Sequence, residues 1–243
     1  MRTQFTLKSI SALIEFIERE LKDRDDVLFR GQQFDWALKP KLGRLAPRYS
    51  ETPVDIEVRM LNSFKTRSLP HLSITPKSEW EWLSLAQHHG MATRLLDWTT
   101  NPLAALWFAV HKPALDKKPG VLWLFLPKEE DHIGFSEMNK TQPYEYYTTK
   151  VFQPMHITKR IAAQQGWFTL HSPSPLAKAF NDMSTGKLHK DKLFKFKIPA
   201  SCFSDIRFQL DRLGINSSTI FNDLDGLSKD AEWQYSLLDD EKD

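Results

Sequence analysis

Apolar residues recur at helical spacing in the first part of the chain. Over residues 9–22 they follow an i, i+3, i+4, i+7 pattern behind Ser9, which predicts an amphipathic helix with Ser9 as its N-cap. The same spacing predicts a second helix over residues 55–68. A third is predicted over residues 78–90, where Ser78 is the N-cap.

Shorter apolar runs predict the strands of a sheet. They cover residues 25–32, 93–99, 120–127, 164–171 and 193–199. The second run leads to Asn101 and Pro102, a good N-cap and first residue for a helix that continues to about His111. Because that helix is almost wholly apolar, it should be buried on most sides.

The rest of the chain predicts loops and two more helices. Residues 128–160 are polar and rich in turn residues, so we expect a long surface excursion. Residues 204–215 predict a helix capped by Ser204 and ended by Gly214, and residues 217–227 predict a short last helix.

Strands and helices without regular βαβ alternation predict an α+β fold. We expect a single domain over residues 1–230, in which helices flank a mainly antiparallel mixed sheet, and an acidic tail over residues 231–243. The longest apolar runs are too short to span a bilayer, and the N-terminus lacks the apolar core of a signal peptide. The single cysteine, Cys202, fits a reducing compartment, so we expect a cytoplasmic protein with no membrane partner.

The net charge of +2 is unevenly distributed. Residues 150–212 hold eleven basic and four acidic side chains, whereas residues 213–243 hold eight acidic and two basic ones. The basic segment can bind phosphates or nucleic acid, or it can be an ordinary solvated surface that the acidic segment neutralises.

The glycine spacing excludes the common nucleotide-binding loops. The closest glycines are twelve residues apart, whereas phosphate-cradling loops need them about two to five apart. No G-x-S-x-G motif occurs, and Cys202 is expected to be a packed core thiol. His88 and His89 are adjacent, so they do not share a helix face, and we predict no metal site.

Three polar insertions interrupt the apolar strands. The first is Arg30, which closes a strand and is followed by Gly31 and Gln32. A buried arginine needs a partner, so Arg30 either forms an ion pair with Asp97 or binds an anionic ligand at the strand end. In the second case Gly31 leaves room for the ligand to approach.

The other two insertions follow the same logic. Arg94 and Asp97 lie on opposite faces of a period-two strand, so each needs another partner, protein or ligand. Arg160 precedes Gln164, whose amide either satisfies buried backbone groups or contacts a ligand.

These stretches resemble the FRG-domain family, which is named for its Phe/Tyr-Arg-Gly motif. The resemblance covers roughly residues 26–228 and rests on Phe29-Arg30-Gly31-Gln32, Gln87-His88-His89-Gly90, Thr93 to Thr99, Asn101-Pro102, Ala105 to Ala109, and Arg160, Gln164, Gly166 and Phe168. It implies a bacterial or phage domain, alone or fused to other modules, and leaves the activity open.

The order of the motifs is also similar to that of ADP-ribosyltransferases, which bind NAD without a Rossmann loop. This likeness implies that Arg30 is the first motif, Asp97 to Thr100 with helix 102–111 the second, and Gln164 the third. Arg30 would hold a phosphate or the nicotinamide ribose, and Trp98 or Phe168 would stack on nicotinamide. Gly31, Gln32, Arg94, Thr99 and Arg160 complete the implied ligand-binding set.

Gln164 departs from the carboxylate that such enzymes need at the third motif. Asp97 or Glu145 would have to supply it, or the site binds without turnover.

We therefore carry three hypotheses. The first is an NAD-using ADP-ribosyltransferase or glycohydrolase that acts as a toxin or phage-defence effector with an antitoxin or partner protein. The second is a nucleotide- or nucleic-acid-binding module, and the third is a protein-interaction domain in which Arg30, Arg94 and Asp97 form an internal network.

Overall fold

A computed structural model describes residues 4–48, 50–154, 165–174, 179–186, 189 and 191–242. The described strands form one seven-stranded sheet in the order β1-β7-β4-β2-β3-β6-β5. Only β1 and β7 pair in parallel, so the sheet is mixed and mainly antiparallel, which confirms the predicted α+β class. The strands are β1 (Gln4–Thr6), β2 (Leu28–Gln32), β3 (Leu95–Thr99), β4 (Gly120–Phe125), β5 (Lys150–Phe152), β6 (Gly166–Leu170) and β7 (Leu193–Ile198).

The helices flank this sheet. They are α1 (Ile10–Glu20), α2 (Pro53–Ser68), α3 (Glu79–His88), α4 (Pro102–Val110), α5 (Phe135–Met138), α6 (Phe203–Arg212), α7 (Ser217–Phe221) and α8 (Leu224–Gln234). Three predicted caps are confirmed. The Ser9 hydroxyl accepts from the Ala12 N–H at 3.2 Å, and the Ser78 hydroxyl accepts from the Glu81 N–H at 3.2 Å. Asn101 Oδ1 accepts from the N–H groups of Leu103 and Ala104 in α4 at 3.0 and 3.1 Å.

Helix α4 lies in the main core, as its composition predicts. It packs on β2 and contributes six buried residues to a cluster that also holds residues of α1, β4, β7 and α6. This packing fixes the position of β2, the strand that carries Arg30.

Some elements differ from the sequence prediction. β5 lies within residues 128–160, which were expected to be a surface excursion, and β1 was not predicted. Ser204 lies inside α6 rather than at its cap, because the helix begins one residue earlier at Phe203.

The C-terminal segment is not a separate acidic tail. α8 continues to Gln234, and beyond it Asp240 and Glu241 contact the guanidinium of Arg207, whose side chain is 3% exposed. The Asp240 contact is 2.9 Å long. The acidic residues thus neutralise a buried arginine of α6.

Candidate functional site

The sheet separates between β2 and β3. β2 pairs with β4 through five residues, and β3 pairs with β6 through five, but β2 and β3 share only the pair Phe29–Thr99. Where the two strands part, they form one wall of a cleft of about 400 Å³, within the usual range of roughly 300–1,000 Å³ for small-molecule sites. The described lining residues are Phe29, Arg30, Gly31, Lys41, Arg44, Gln87, His88, Gly90, Met91, Leu95, Leu96, Asp97, Trp98, Thr99, Ala105 and Phe108.

Arg30 points into the gap between the two strands. Its Nη1 donates to the main-chain oxygen of Asp97 at 2.7 Å, while the nearer carboxylate oxygen is 3.7 Å away. Its Nε is buried and has no hydrogen-bond partner among the described residues. Burial lowers the pKa of the guanidinium and Asp97 raises it, but arginine remains charged at any physiological pH. Arg30 therefore keeps an Nε donor that the described residues do not use.

The Asp97 carboxylate is open to solvent and held in place from one side. Its side chain is 57% exposed, and its Oδ2 accepts from Gln87 Nε2 at 3.0 Å. Gln87 Oε1 in turn accepts from the Thr93 hydroxyl at 2.5 Å. The first residue of the Gln-His-His-Gly motif thus orients the carboxylate. A loose pair with Arg30 does exist, but its acid is exposed rather than enclosed.

Two basic residues at the rim were missed by sequence reasoning. Lys41 and Arg44 belong to a short 3-10 helix, and Lys41 Nζ donates to the main-chain oxygen of Gly90 at 2.7 Å. The only signal was that their loop is basic, and nothing in the sequence placed it beside Arg30. The described lining residues include three cationic side chains and one carboxylate, Asp97. The cations are Arg30, Lys41 and Arg44. The cleft therefore favours an anion.

Gly31 has a different role from the one predicted. A Cβ built on Gly31 would lie 1.8 Å from the main-chain oxygen of Ala105 in α4. Gly31 borders the cleft, but the space beside its Cα is filled by helix α4, not left for a ligand.

Three other predicted ligand contacts are core residues. Gln32 is 5% exposed and accepts from the Trp123 indole N–H at 2.9 Å. Trp98 is 3% exposed and donates its N–H to the Thr169 hydroxyl at 2.9 Å, so only its edge borders the cleft. Phe168 is 4% exposed within an apolar cluster and is not among the described lining residues of the cleft. Both rings are already packed, which argues against the expected stacking of Trp98 or Phe168 on nicotinamide.

Thr99 and Arg94 serve the local structure. The Thr99 hydroxyl borders the cleft and accepts from the Asn101 N–H at 3.0 Å, which supports the turn into α4. Arg94 lies outside the cleft: its Nε donates to Glu57 Oε2 at 2.5 Å, and its main-chain N–H donates to Oε1 at 2.6 Å. Both side chains are almost wholly buried. Burial raises the Glu57 pKa, and Arg94 opposes that shift.

The expected internal network of Arg30, Arg94 and Asp97 is therefore two separate pairs. The partner of Arg94 was missed, although one signal existed. Glu57 lies four residues before the inward-facing Leu61 of α2, so it shares the buried face of that helix.

Gln164 and Arg160 lie outside the described residues, so their predicted roles stay predictions. The adjacent Gln165 has a positive φ of 46°, and its Oε1 accepts from the Thr100 hydroxyl at 3.2 Å. Glu145 is exposed and is not among the described lining residues, which leaves Asp97 as the carboxylate of the cleft. Among the described residues, no three His, Cys, Asp or Glu side chains lie close enough together to hold a metal ion.

These observations define an α+β domain with a positively charged cleft where two central strands part. Residues 25–118 match the family model of the FRG domain, which confirms the family resemblance for that part of the chain. Every described lining residue of the cleft falls within the matched range. Neither the curated proteins nor the solved structures gave a match. No helix in the described part of the chain is both long and apolar enough to cross a membrane.

Proposed function

We propose that the cleft between β2 and β3 binds NAD and that the chain is an ADP-ribosyltransferase-like enzyme or an NAD glycohydrolase. The proposal rests on one observation: a single cleft contains three cationic side chains and one exposed carboxylate, that of Asp97. The cations are Arg30, Lys41 and Arg44. A diphosphate needs the cations, and cleavage of a glycosidic bond needs the carboxylate.

The cations act on the diphosphate. Arg30 is the deepest, since its side chain is 18% exposed, whereas Lys41 and Arg44 lie exposed at the rim. The planar guanidinium of Arg30 is suited to two phosphate oxygens, and the rim cations add attraction that salt screens. Phe108 and Met91 supply the half-buried apolar part of the wall.

Asp97 acts on the ribose. The bond between the ribose carbon and the nicotinamide nitrogen breaks, and neutral nicotinamide leaves with the bonding electron pair. The positive charge that develops on the ribose is stabilised by the Asp97 carboxylate. Water or an acceptor nucleophile then bonds to the same carbon and loses its proton to solvent, which gives ADP-ribose or an ADP-ribosylated acceptor.

The test uses NAD labelled in either half. Wild type should release nicotinamide, whereas Asp97→Asn should lose most of the activity and Arg30→Ala should weaken NAD binding. Arg30→Ala should cost only about 1–2 kcal/mol of stability, because the carboxylate it leaves behind is exposed. Arg19→Ala, which changes an exposed arginine of α1, is the matched control.

The outcomes separate the hypotheses. Neither nicotinamide release nor label transfer would refute the enzymatic activity. If NAD or ADP-ribose still bound in an Arg30-dependent manner, the chain would be a nucleotide-binding module. A large loss of stability in Arg30→Ala would instead support a structural domain.

For this activity we propose a toxin or phage-defence role in a bacterial cytoplasm, with an antitoxin or partner protein that restrains it. Induced expression in bacterial cells should then arrest growth, and Asp97→Asn should relieve the arrest at equal protein level. Equal toxicity of both proteins would contradict this role.

Ion pairs in the described part of residues 150–212 support a nucleotide over a nucleic-acid polymer as the ligand. Several described bases of residues 150–212 have acidic partners within 2.9 Å: Lys192 with Asp131, Lys195 with Asp35, and Arg207 with Asp240. The basic surplus of this segment is therefore largely neutralised where the structure describes it.

A further inference from the structure

A second cavity, of about 320 Å³, lies at the N-terminal end of α2. We call it the tyrosine pocket, because Tyr144, Tyr146 and Tyr147 line it together with Thr52, Val54 and Arg94. It shares no described lining residue with the cleft.

Arg94 brings an unused donor to the tyrosine pocket. Its Nε is occupied by Glu57, but its Nη2 is buried and has no hydrogen-bond partner among the described residues. The side chain is 2% exposed, so water does not readily satisfy this group. Buried polar groups are nearly always paired, so an unpaired N–H beside a cavity indicates an acceptor that occupies it.

The charges around Arg94 favour a neutral acceptor over an anion. Glu57 neutralises the guanidinium at 2.5 Å, and Asp55 adds another carboxylate in the first turn of α2. The Asp55 carboxylate accepts from the Thr52 hydroxyl at 2.6 Å. It thus occupies the N-terminus of α2, the position where a helix would otherwise bind an anionic ligand. Burial, with Glu57 nearby, raises the pKa of Tyr144 above its usual value, so its hydroxyl stays uncharged at physiological pH.

The aromatic walls favour a flat ligand. The Arg94 guanidinium lies over the Tyr144 ring at 4.8 Å from its centroid, and Tyr147, 81% exposed, stands at the mouth of the pocket. A planar ring can stack on a tyrosine while its substituent reaches the guanidinium.

We propose that the tyrosine pocket binds a neutral planar ring with a carbonyl oxygen, of the kind found in uracil and guanine. The carbonyl accepts from Arg94 Nη2, and the ring stacks on a tyrosine. This site is separate from the proposed NAD cleft and does not depend on the proposed function.

Nucleosides test the proposal, because they carry the ring without phosphate. The full chain is titrated with uridine, guanosine, adenosine and inorganic phosphate, and binding is followed by calorimetry. Uridine or guanosine should bind in a saturable manner. Adenosine, whose base has no carbonyl, should bind at least about tenfold more weakly, because it leaves the donor unpaired.

Variants locate the binding. Tyr144→Leu and Tyr147→Ala should each weaken it at least about fivefold, while Tyr235→Ala, which removes a 92% exposed tyrosine outside the pocket, should not. Arg94→Lys keeps a cation for Glu57 and removes Nη2, and should also weaken binding. If that variant does not fold, the two tyrosine variants still decide.

Four results would overturn the proposal. They are no saturable nucleoside binding, equal affinity for adenosine and uridine, binding of phosphate in place of nucleosides, and nucleoside binding that only Arg30→Ala abolishes. The last result would place the nucleoside in the cleft.

Discussion

A buried histidine, His171, and a half-buried one, His111, should make the fold sensitive to mild acid. His171 is 4% exposed, and burial, with His189 and Arg30 nearby, lowers its pKa to about 3. Its Nε2 lies 2.8 Å from the Thr169 hydroxyl, which already accepts from an indole N–H at 2.9 Å. Because burial keeps the ring neutral, its Nε2 can accept a hydrogen bond from the Thr169 hydroxyl. Burial likewise lowers the pKa of His111 to about 4.

The sign and size of the effect follow from proton linkage. An unfolded histidine titrates near pH 6.5, so below that pH the unfolded chain binds protons that the folded chain excludes. Stability is complete above about pH 6.5 and falls by up to about 1.4 kcal/mol per pH unit for each histidine until its folded pKa is reached. At about pH 5 each histidine should cost roughly 2 kcal/mol, or roughly 4 kcal/mol together, out of a typical total of about 5–15 kcal/mol.

Urea denaturation of wild type and His171→Gln near pH 7.5 and pH 5 measures this contribution. Glutamine keeps an acceptor for Thr169 but does not titrate. The acid-induced loss of unfolding free energy should be about 2 kcal/mol smaller in the variant, whatever its stability at the higher pH. His71→Gln, at an exposed position, should behave like wild type. Equal acid-induced losses in wild type and His171→Gln would refute the reasoning.

Two further predictions concern packing and burial. Gly31→Ala should cost about 1–3 kcal/mol, measured by urea denaturation, because the new methyl would collide with the Ala105 carbonyl of α4; unchanged stability would contradict the role given to Gly31. Glu57→Gln should cost about 3–5 kcal/mol, because it leaves the Arg94 charge buried without its partner. Glu15→Gln on the exposed face of α1 is its control, and a similar cost in both would argue against the buried pair.

Local features of the fold could be predicted from the sequence. Ser9 and Asn101 cap their helices through contacts with residues two or three positions away, so the sequence contains all that is needed. The three-residue strands β1 and β5 could not be found in this way. Strands this short depend on their partner strands, β7 for β1 and β6 for β5, which lie outside the few residues that a local sequence pattern covers.

The site was predictable in part. Arg30 and Asp97 stood out as charges in apolar strands, and the structure brings them to one cleft. Long-range partners were not visible: Glu57 is 37 residues from Arg94, and Lys41 reaches the cleft through a loop contact with Gly90. Burial of Trp98 and Phe168 was also not visible, because aromatic residues are common both in cores and in ligand sites.

The single pair between β2 and β3 explains why Arg30 stands where it does. A strand carbonyl in a continuous ladder would be bonded by the neighbouring main chain, but the main-chain oxygen of Asp97 receives the Arg30 guanidinium instead. The side chain replaces a ladder bond, and Arg30 is also among the residues that line the cleft. Arg30 thus stabilises the edge of the same cleft that it lines. Because water in the cleft can replace this one bond, the residue can be removed to test function without losing the fold.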